Sequence, residues 1–193
     1  MPLPNDAFWT KEDEDLGGFL FPLLMNIITA GLASGFDLAD VEVSDLEELN
    51  RQAAYWSAQH STKLAGQLNN TTRNVLEKKY NEWYLSGDPI DVLFENIESV
   101  FNDNRAENIA VTEVTLGFSL GVLLAWGVIP QVDGKEWVTS NDDKVCPICG
   151  PMHGQRVRLD EFFIGGDGAY YFSPPAHNKC RCGQKAVKVR NGF

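Results

Sequence analysis

The chain has 193 residues, of which 44% are hydrophobic and 11% aromatic, and a formal net charge of -11. That length suffices for one sizeable core or for a body with a small appendage, and the composition is too apolar for a disordered chain. Residues 1–100 carry six Lys/Arg against seventeen Asp/Glu while residues 101–193 carry ten of each, so the acidic first half repels phosphate and argues against specific nucleic-acid binding, leaving a protein-facing surface or simple solubility.

Thr10 followed by Asp13 provides a helix start, with a hydroxyl for a backbone N–H and acids that complement the dipole of the first turn. Asp6 and the run Glu12 to Asp15 stand where a secretory signal would carry cations, so a reducing compartment is expected. From Leu16 to Phe36 there is no charged residue, which is long enough to span a bilayer. Pro22, Asn26 and several glycines interrupt that run, and its flanks Asp15 and Asp37 are acidic with no basic anchor. The main expectation is a buried or subunit-interface helix, with membrane contact through residues 16–36 as the alternative.

Ser44-Asp45-Leu46-Glu47 reads as a capping box that starts a second helix at Asp45, running to about Leu68. Asn69-Asn70-Thr71-Thr72 offers caps for a third, which stops at Gly87; whether the two are continuous is open. Asp88-Pro89 restarts the helix with an N-cap acid and proline in the first helical position. The fifth helix opens after Asp103 or Asn104 and ends at Gly127. Glu113 falls on its apolar face, either as an acid or base or as a structural partner of Arg105 or of the β cap.

After Pro130 the pattern changes. Glu136 to Thr139, Gln155 to Arg158 and Lys185 to Arg190 alternate as strands, with Gly165-Gly166-Asp167-Gly168 as a loose loop. All four cysteines lie here, as Cys146-Pro147-Ile148-Cys149 and then His177-Asn178-Lys179-Cys180-Arg181-Cys182. Two such knuckles are what a tetrahedral zinc ion needs, because a two-residue spacer lets both thiolates face one ion. Cys146, Cys149 and Cys180 are the firmest ligands, and the fourth is Cys182 or His177. His153 is a third candidate for that position but reads better as a loop residue, and His60 reads as a helix histidine. Gly150 is expected to take a positive φ that turns N–H groups toward the thiolates. A disulfide pair is the alternative use of the cysteines.

A catalytic zinc keeps an open position beside a general acid or base, and neither the His-x-Glu nor the Pro-Cys-x-x-Cys element of zinc deaminases occurs. The site therefore reads as structural zinc. The expected fold class is α+β: a mainly α-helical body of about five helices over residues 1–130, followed by a small zinc-pinned β cap over residues 131–193.

Taken together, Arg105-Ala106-Glu107-Asn108-Ile109-Ala110-Val111-Thr112-Glu113, then Trp137-Val138-Thr139-Ser140-Asn141-Asp142-Asp143-Lys144-Val145-Cys146-Pro147-Ile148-Cys149, then Pro174-Pro175-Ala176-His177-Asn178-Lys179-Cys180-Arg181-Cys182, resemble the phage Mu F-like head morphogenesis domain of tailed-phage minor capsid proteins. Asn70-Thr71-Thr72-Arg73 extends the resemblance upstream, so that it covers roughly residues 45–185. Val111, Ala176 and Asn178 depart from the common form without touching a thiolate. The resemblance implies a non-enzymatic virion component of a tailed bacteriophage, acting at the portal or inner head during assembly or early infection. Its implied partners are the portal protein, capsid or scaffold proteins, with self-association as a further option, and its implied location is the phage head, after assembly in the host cytoplasm. The alternative is a zinc-dependent enzyme or host-directed effector delivered with the genome, with Glu113, His153 and His177 as its candidate groups.

Overall fold

The computed structural model describes residues 4–40, 46–101 and 103–188. Among these, the helices are α1 (Asp6–Ala39), α2 (Glu47–Ser86), α3 (Ile90–Glu98) and α4 (Asp103–Trp126), and the strands are β1 (Val132–Val138), β2 (Arg156–Arg158), β3 (Phe163–Ile164), β4 (Tyr170–Tyr171) and β5 (Gly183–Lys188). The chain is α+β, a mainly helical body followed by a small β region, with four helices where about five were expected. It forms two compact units, Met1–Leu23 with Trp56–Glu107 and Leu24–Tyr55 with Asn108–Phe193.

The missing helix boundary has a local cause. The side chains expected to cap a third helix are spent sideways within α2. Thr71 and Thr72 each donate to the carbonyl four residues back, Gln67 and Leu68, at 2.8 Å, and Asn69 donates to Asp13 at 2.7 Å. With its capping groups occupied, the segment continues as helix. Other boundaries shift too. Asn5 Oδ1 accepts the Phe8 N–H at 3.1 Å, so α1 begins before Thr10. Pro89, not Asp88, occupies the N-cap of α3, and no side chain caps it. Gly87, with φ 71°, closes α2 as expected. Ser44 and Asp45 of the capping box, and Val189 and Arg190 of the last strand, lie outside the described residues.

In the first unit, α1 and α2 are tied by polar contacts. Arg73 bridges Asp6 at 2.9 Å and Glu77 at 3.0 Å, and Arg105 donates to the Leu68 carbonyl and the Thr72 hydroxyl. Among its described residues, Leu64, Ala65 and Leu93 are buried apolar side chains.

In the second unit, α1 buries Leu24, Ile28, Leu32 and Phe36, a one-turn spacing that makes a single stripe. It meets Val122, Ala125 and Trp126 of α4, and the Trp126 indole donates to the Gly35 carbonyl at 3.0 Å. The helices approach backbone to backbone: a Cβ on Gly121 would sit 2.8 Å from Leu32 N, and one on Gly31 would sit 3.0 Å from Phe118 Cα. The run from Leu16 to Phe36 is helical throughout, with Pro22 inside it.

The β region is an antiparallel three-stranded sheet in the order β2-β1-β5, plus the hairpin β3-β4. Gly134 faces Arg158 on one side of β1, and Trp137 faces Gln184 on the other. The glycine segment expected as a loose loop is the tight turn of the hairpin. Gly165 N–H donates to Ala169 O at 2.9 Å, and Asp167 accepts from Ala169 N–H and the Tyr171 hydroxyl.

Candidate metal centre

Beneath the sheet, Trp137, Met152 and Phe163 are fully buried and form one cluster with Cys149, Cys180 and Cys182. The apolar packing brings the two knuckles together, since Trp137 comes from β1, Phe163 from the hairpin, and Cys182 immediately precedes β5.

The first knuckle folds on itself. Gly150 N–H donates to Cys146 O at 2.9 Å, and Cys149 N–H points at Cys146 Sγ at 3.4 Å. The residue that turns an amide toward the thiolate is therefore Cys149. Gly150 opens a short 3-10 turn, Gly150–Met152, and the positive φ in this stretch belongs to Gly154. His153 takes the loop role expected of it, with Nδ1 3.2 Å from the Thr139 amide and 3.0 Å from its hydroxyl. His60 stacks on Trp56 in the other unit.

The second knuckle is held by α4. Thr112 Oγ1 accepts the Lys179 N–H at 3.1 Å, Thr115 Oγ1 donates to Cys180 O at 2.9 Å, and Ser119 O accepts from Gln184 at 2.8 Å. These three residues recur at helical spacing on one face. Nothing in the sequence marks them out: α4 carries other polar residues, and Ser119 contributes its backbone carbonyl. Arg181 then clasps Asp142 in bidentate fashion at 2.8 and 3.1 Å, joining the knuckles outside the cluster.

Five donors converge. Cys146, Cys149 and His177 form one group, and Cys149, Cys180 and Cys182 another, each with its ligand atoms within 4.8 Å of one another. His177 Nε2 lies 3.0 Å from Cys146 Sγ and 3.3 Å from Cys149 Sγ, while Cys149 and Cys180 sulfurs are 3.8 Å apart. Around a tetrahedral ion with metal–sulfur bonds of about 2.3 Å, two thiolates stand about 3.8 Å apart. The space beside these donors is about 20 Å³, room for an ion. The residues present fit a bound metal ion. Glu113, half-buried on α4, belongs to neither donor group.

The electrostatics divide the donors. Burial opposes the Cys146 thiolate, but the Cys149 amide and neighbouring donors bring its pKa below the usual thiol range. A hydrogen bond from Cys182 holds Cys180 down at about 5, and the same bond pushes Cys182 up. Burial raises Cys149 to about 12. His177 Nδ1 lies 2.8 Å from the Asn178 carbonyl, so Nε2 is the ring nitrogen turned toward Cys146 and Cys149.

The family model described as Phage Mu protein F like protein matches residues 85–185, just over half of the chain. The match takes in α4 and both knuckles, while the upstream Asn70 to Arg73 likeness falls outside it. No match was found among curated proteins or solved structures.

Proposed function

The chain belongs to the phage Mu protein F-like family, and on that premise we propose that it is a minor capsid and head morphogenesis protein, a non-enzymatic virion component acting at the portal or the inner face of the head. What carries the structural half of this reading is the centre itself: five protein donors around a space of about 20 Å³. Four-coordinate zinc is filled by such a shell, which leaves no position for substrate.

Cys146, Cys149, Cys180 and His177 would hold the ion, with Cys182 donating its S–H to Cys180 from beside the shell. His177 takes the fourth position because its Nδ1 is engaged by the Asn178 carbonyl and its Nε2 already lies between Cys146 and Cys149. Bound zinc would supply folding energy to a β region whose strands are two to seven residues long. The chain's own residues then transmit that order. Thr112 and Thr115 lock the second knuckle to α4, and α4 is fixed to α1 through Trp126 and Gly35.

Helices α1 and α4 are each long and apolar enough to cross a membrane by length and composition. Protein contact is the better account of the α4 surface, because Thr112, Thr115 and Ser119 are committed to the β region along its flank. The partners would be portal, capsid or scaffold proteins, and the location the phage head.

The test is fractionation of virions and of portal-containing assembly intermediates from infected cells, with quantitative mass spectrometry. Presence at a few copies per particle is expected, and absence from both fractions would sink the proposal.

A further inference from the structure

Trp137 is fully buried on β1, yet its indole Nε1 has no hydrogen-bond partner of ordinary length. A buried donor left unpaired is costly, so the groups within its reach carry information. Phe163 meets the ring edge-on at 5.2 Å and fixes its plane. Across the sheet Trp137 stands opposite Gln184, and Cys182, two residues before Gln184, falls by alternation on the same face and diagonal to the indole.

Two atoms there can accept. Gln184 Oε1 is buried and also unpaired, while the amide nitrogen of that side chain is tied to Ser119 O at 2.8 Å. The other is the Cys182 sulfur, and it is the one that responds to the indole. The hydrogen bond with Cys180 and burial push the Cys182 thiol up, and the Trp137 N–H pulls the other way. A thiol sulfur is a large, weak acceptor, so its contact with an N–H is longer than one with oxygen.

We propose that Trp137 is a positioning residue of the metal centre: its indole N–H donates to Cys182 Sγ, whose own S–H donates to Cys180. Indole, thiol and ligand thiolate form one relay, each bond polarising the next. The relay gives the fifth donor a defined place beside the shell, with a donor behind its sulfur and its proton directed at Cys180. It also orients Cys180, as hydrogen-bonding groups behind a metal ligand do. The inference rests on the ligand set of Cys146, Cys149, Cys180 and His177 proposed above, and explains what keeps Cys182 out of it.

The experiment measures zinc affinity of the full chain by competition with a chromophoric chelator, with Trp137 replaced by benzothienylalanine, which keeps the shape of the ring and puts sulfur in place of the N–H. The replacement is made in the wild type, in Cys182→Ala and in Gln184→Met, and circular dichroism checks that each folds. In the wild type it should weaken zinc binding about tenfold. In Cys182→Ala, where the relay is already cut, it should change affinity less than about twofold, and in Gln184→Met the tenfold loss should persist. The indole N–H proton resonance of Trp137 should also move in zinc-loaded Cys182→Ser, which keeps the size of the side chain. Cobalt in place of zinc should show three thiolates and one imidazole throughout. With that spectrum, an equal loss with and without Cys182, no loss in the wild type, a loss that disappears only in Gln184→Met, or an unmoved indole resonance would each overturn the relay and leave the ligand set standing. A wild-type spectrum of four thiolates would overturn both.

Discussion

Cys149 Sγ stands 3.8 Å from Cys180 Sγ, although 31 residues separate them in the chain. That spacing is the edge of a thiolate tetrahedron, and it is reached because Trp137, Met152 and Phe163 pack the two knuckles into one cluster. The consequence is a strong dependence on metal. Removal of zinc with a chelator should cost several kcal/mol, or on the order of 10 °C in Tm for a chain of this size. The helical circular dichroism should largely survive, since Ile28, Val122 and Trp126 pack in a separate core. Plasma emission spectroscopy is expected to find one zinc per chain, and a zinc-free protein whose Tm ignores the chelator would refute a structural centre.

The donor set makes a second prediction. Cobalt substituted for zinc reports its ligands through its visible absorption. If Cys146, Cys149, Cys180 and His177 hold the ion, His177→Ala should weaken cobalt binding by roughly 100-fold and change the spectrum, as the loss of a ligand does. Cys182→Ser should keep the spectrum of three thiolates and one imidazole, with a smaller loss of affinity. The reverse pattern, a lost sulfur band in the Cys182 variant and an unaltered spectrum in the His177 variant, would assign four cysteines.

How much of this was legible follows the physics of each signal. Ligand spacing is a short-range property, so Cys146, Cys149, His177, Cys180 and Cys182 could be named from the chain, and they do converge. Helix type was also clear, because periodicity accumulates over many turns. The break at Gly87 was clear as well, but the one expected at Asn69 to Thr72 is absent, because those side chains cap a helix or decorate its side depending on partners such as Asp13 that only the fold supplies. The hairpin β3-β4 left no mark, since strands of two residues cannot show alternation. The contact of His177 with the Asn178 carbonyl, on which the proposed ligand set leans, is one that no spacing rule contains.

Lys135 gives a pH test away from the metal. Its side chain is fully buried on β1, with Nζ donating to Leu159 O at 2.9 Å and lying 3.4 Å from the centre of the Phe172 ring. Burial lowers its pKa from 10.5 to about 8, although Asp160 and Glu161 oppose the shift. Between those values the unfolded chain holds a proton that the folded chain has released. Stability therefore rises with pH through the window from about 8 to 10.5. Relative to Lys135→Met, the wild type should gain on the order of 3 kcal/mol across that window, read from urea unfolding at several pH values. Parallel pH profiles for the two proteins would show that Lys135 keeps an ordinary pKa.

The crossing of α1 and α4 supplies the last prediction. A Cβ on Gly121 would clash with the Ile28 backbone oxygen and lie 2.8 Å from Leu32 N and 2.9 Å from Gly31 Cα. Backbone cannot step aside as a side chain can, so Gly121→Ala must push the helices apart. The Trp126 bond to Gly35 and the buried contacts of Ile28 and Val122 would loosen with them. We expect a loss of about 3 kcal/mol, at the upper end for overpacking. Gly18 on α1 is the control, because a Cβ there meets nothing within 4 Å. Gly18→Ala should stabilise by about 0.5–1 kcal/mol through helix propensity alone. If both substitutions stabilise, α1 and α4 do not approach through glycine, and the route from the metal centre through α4 to α1 loses its second joint.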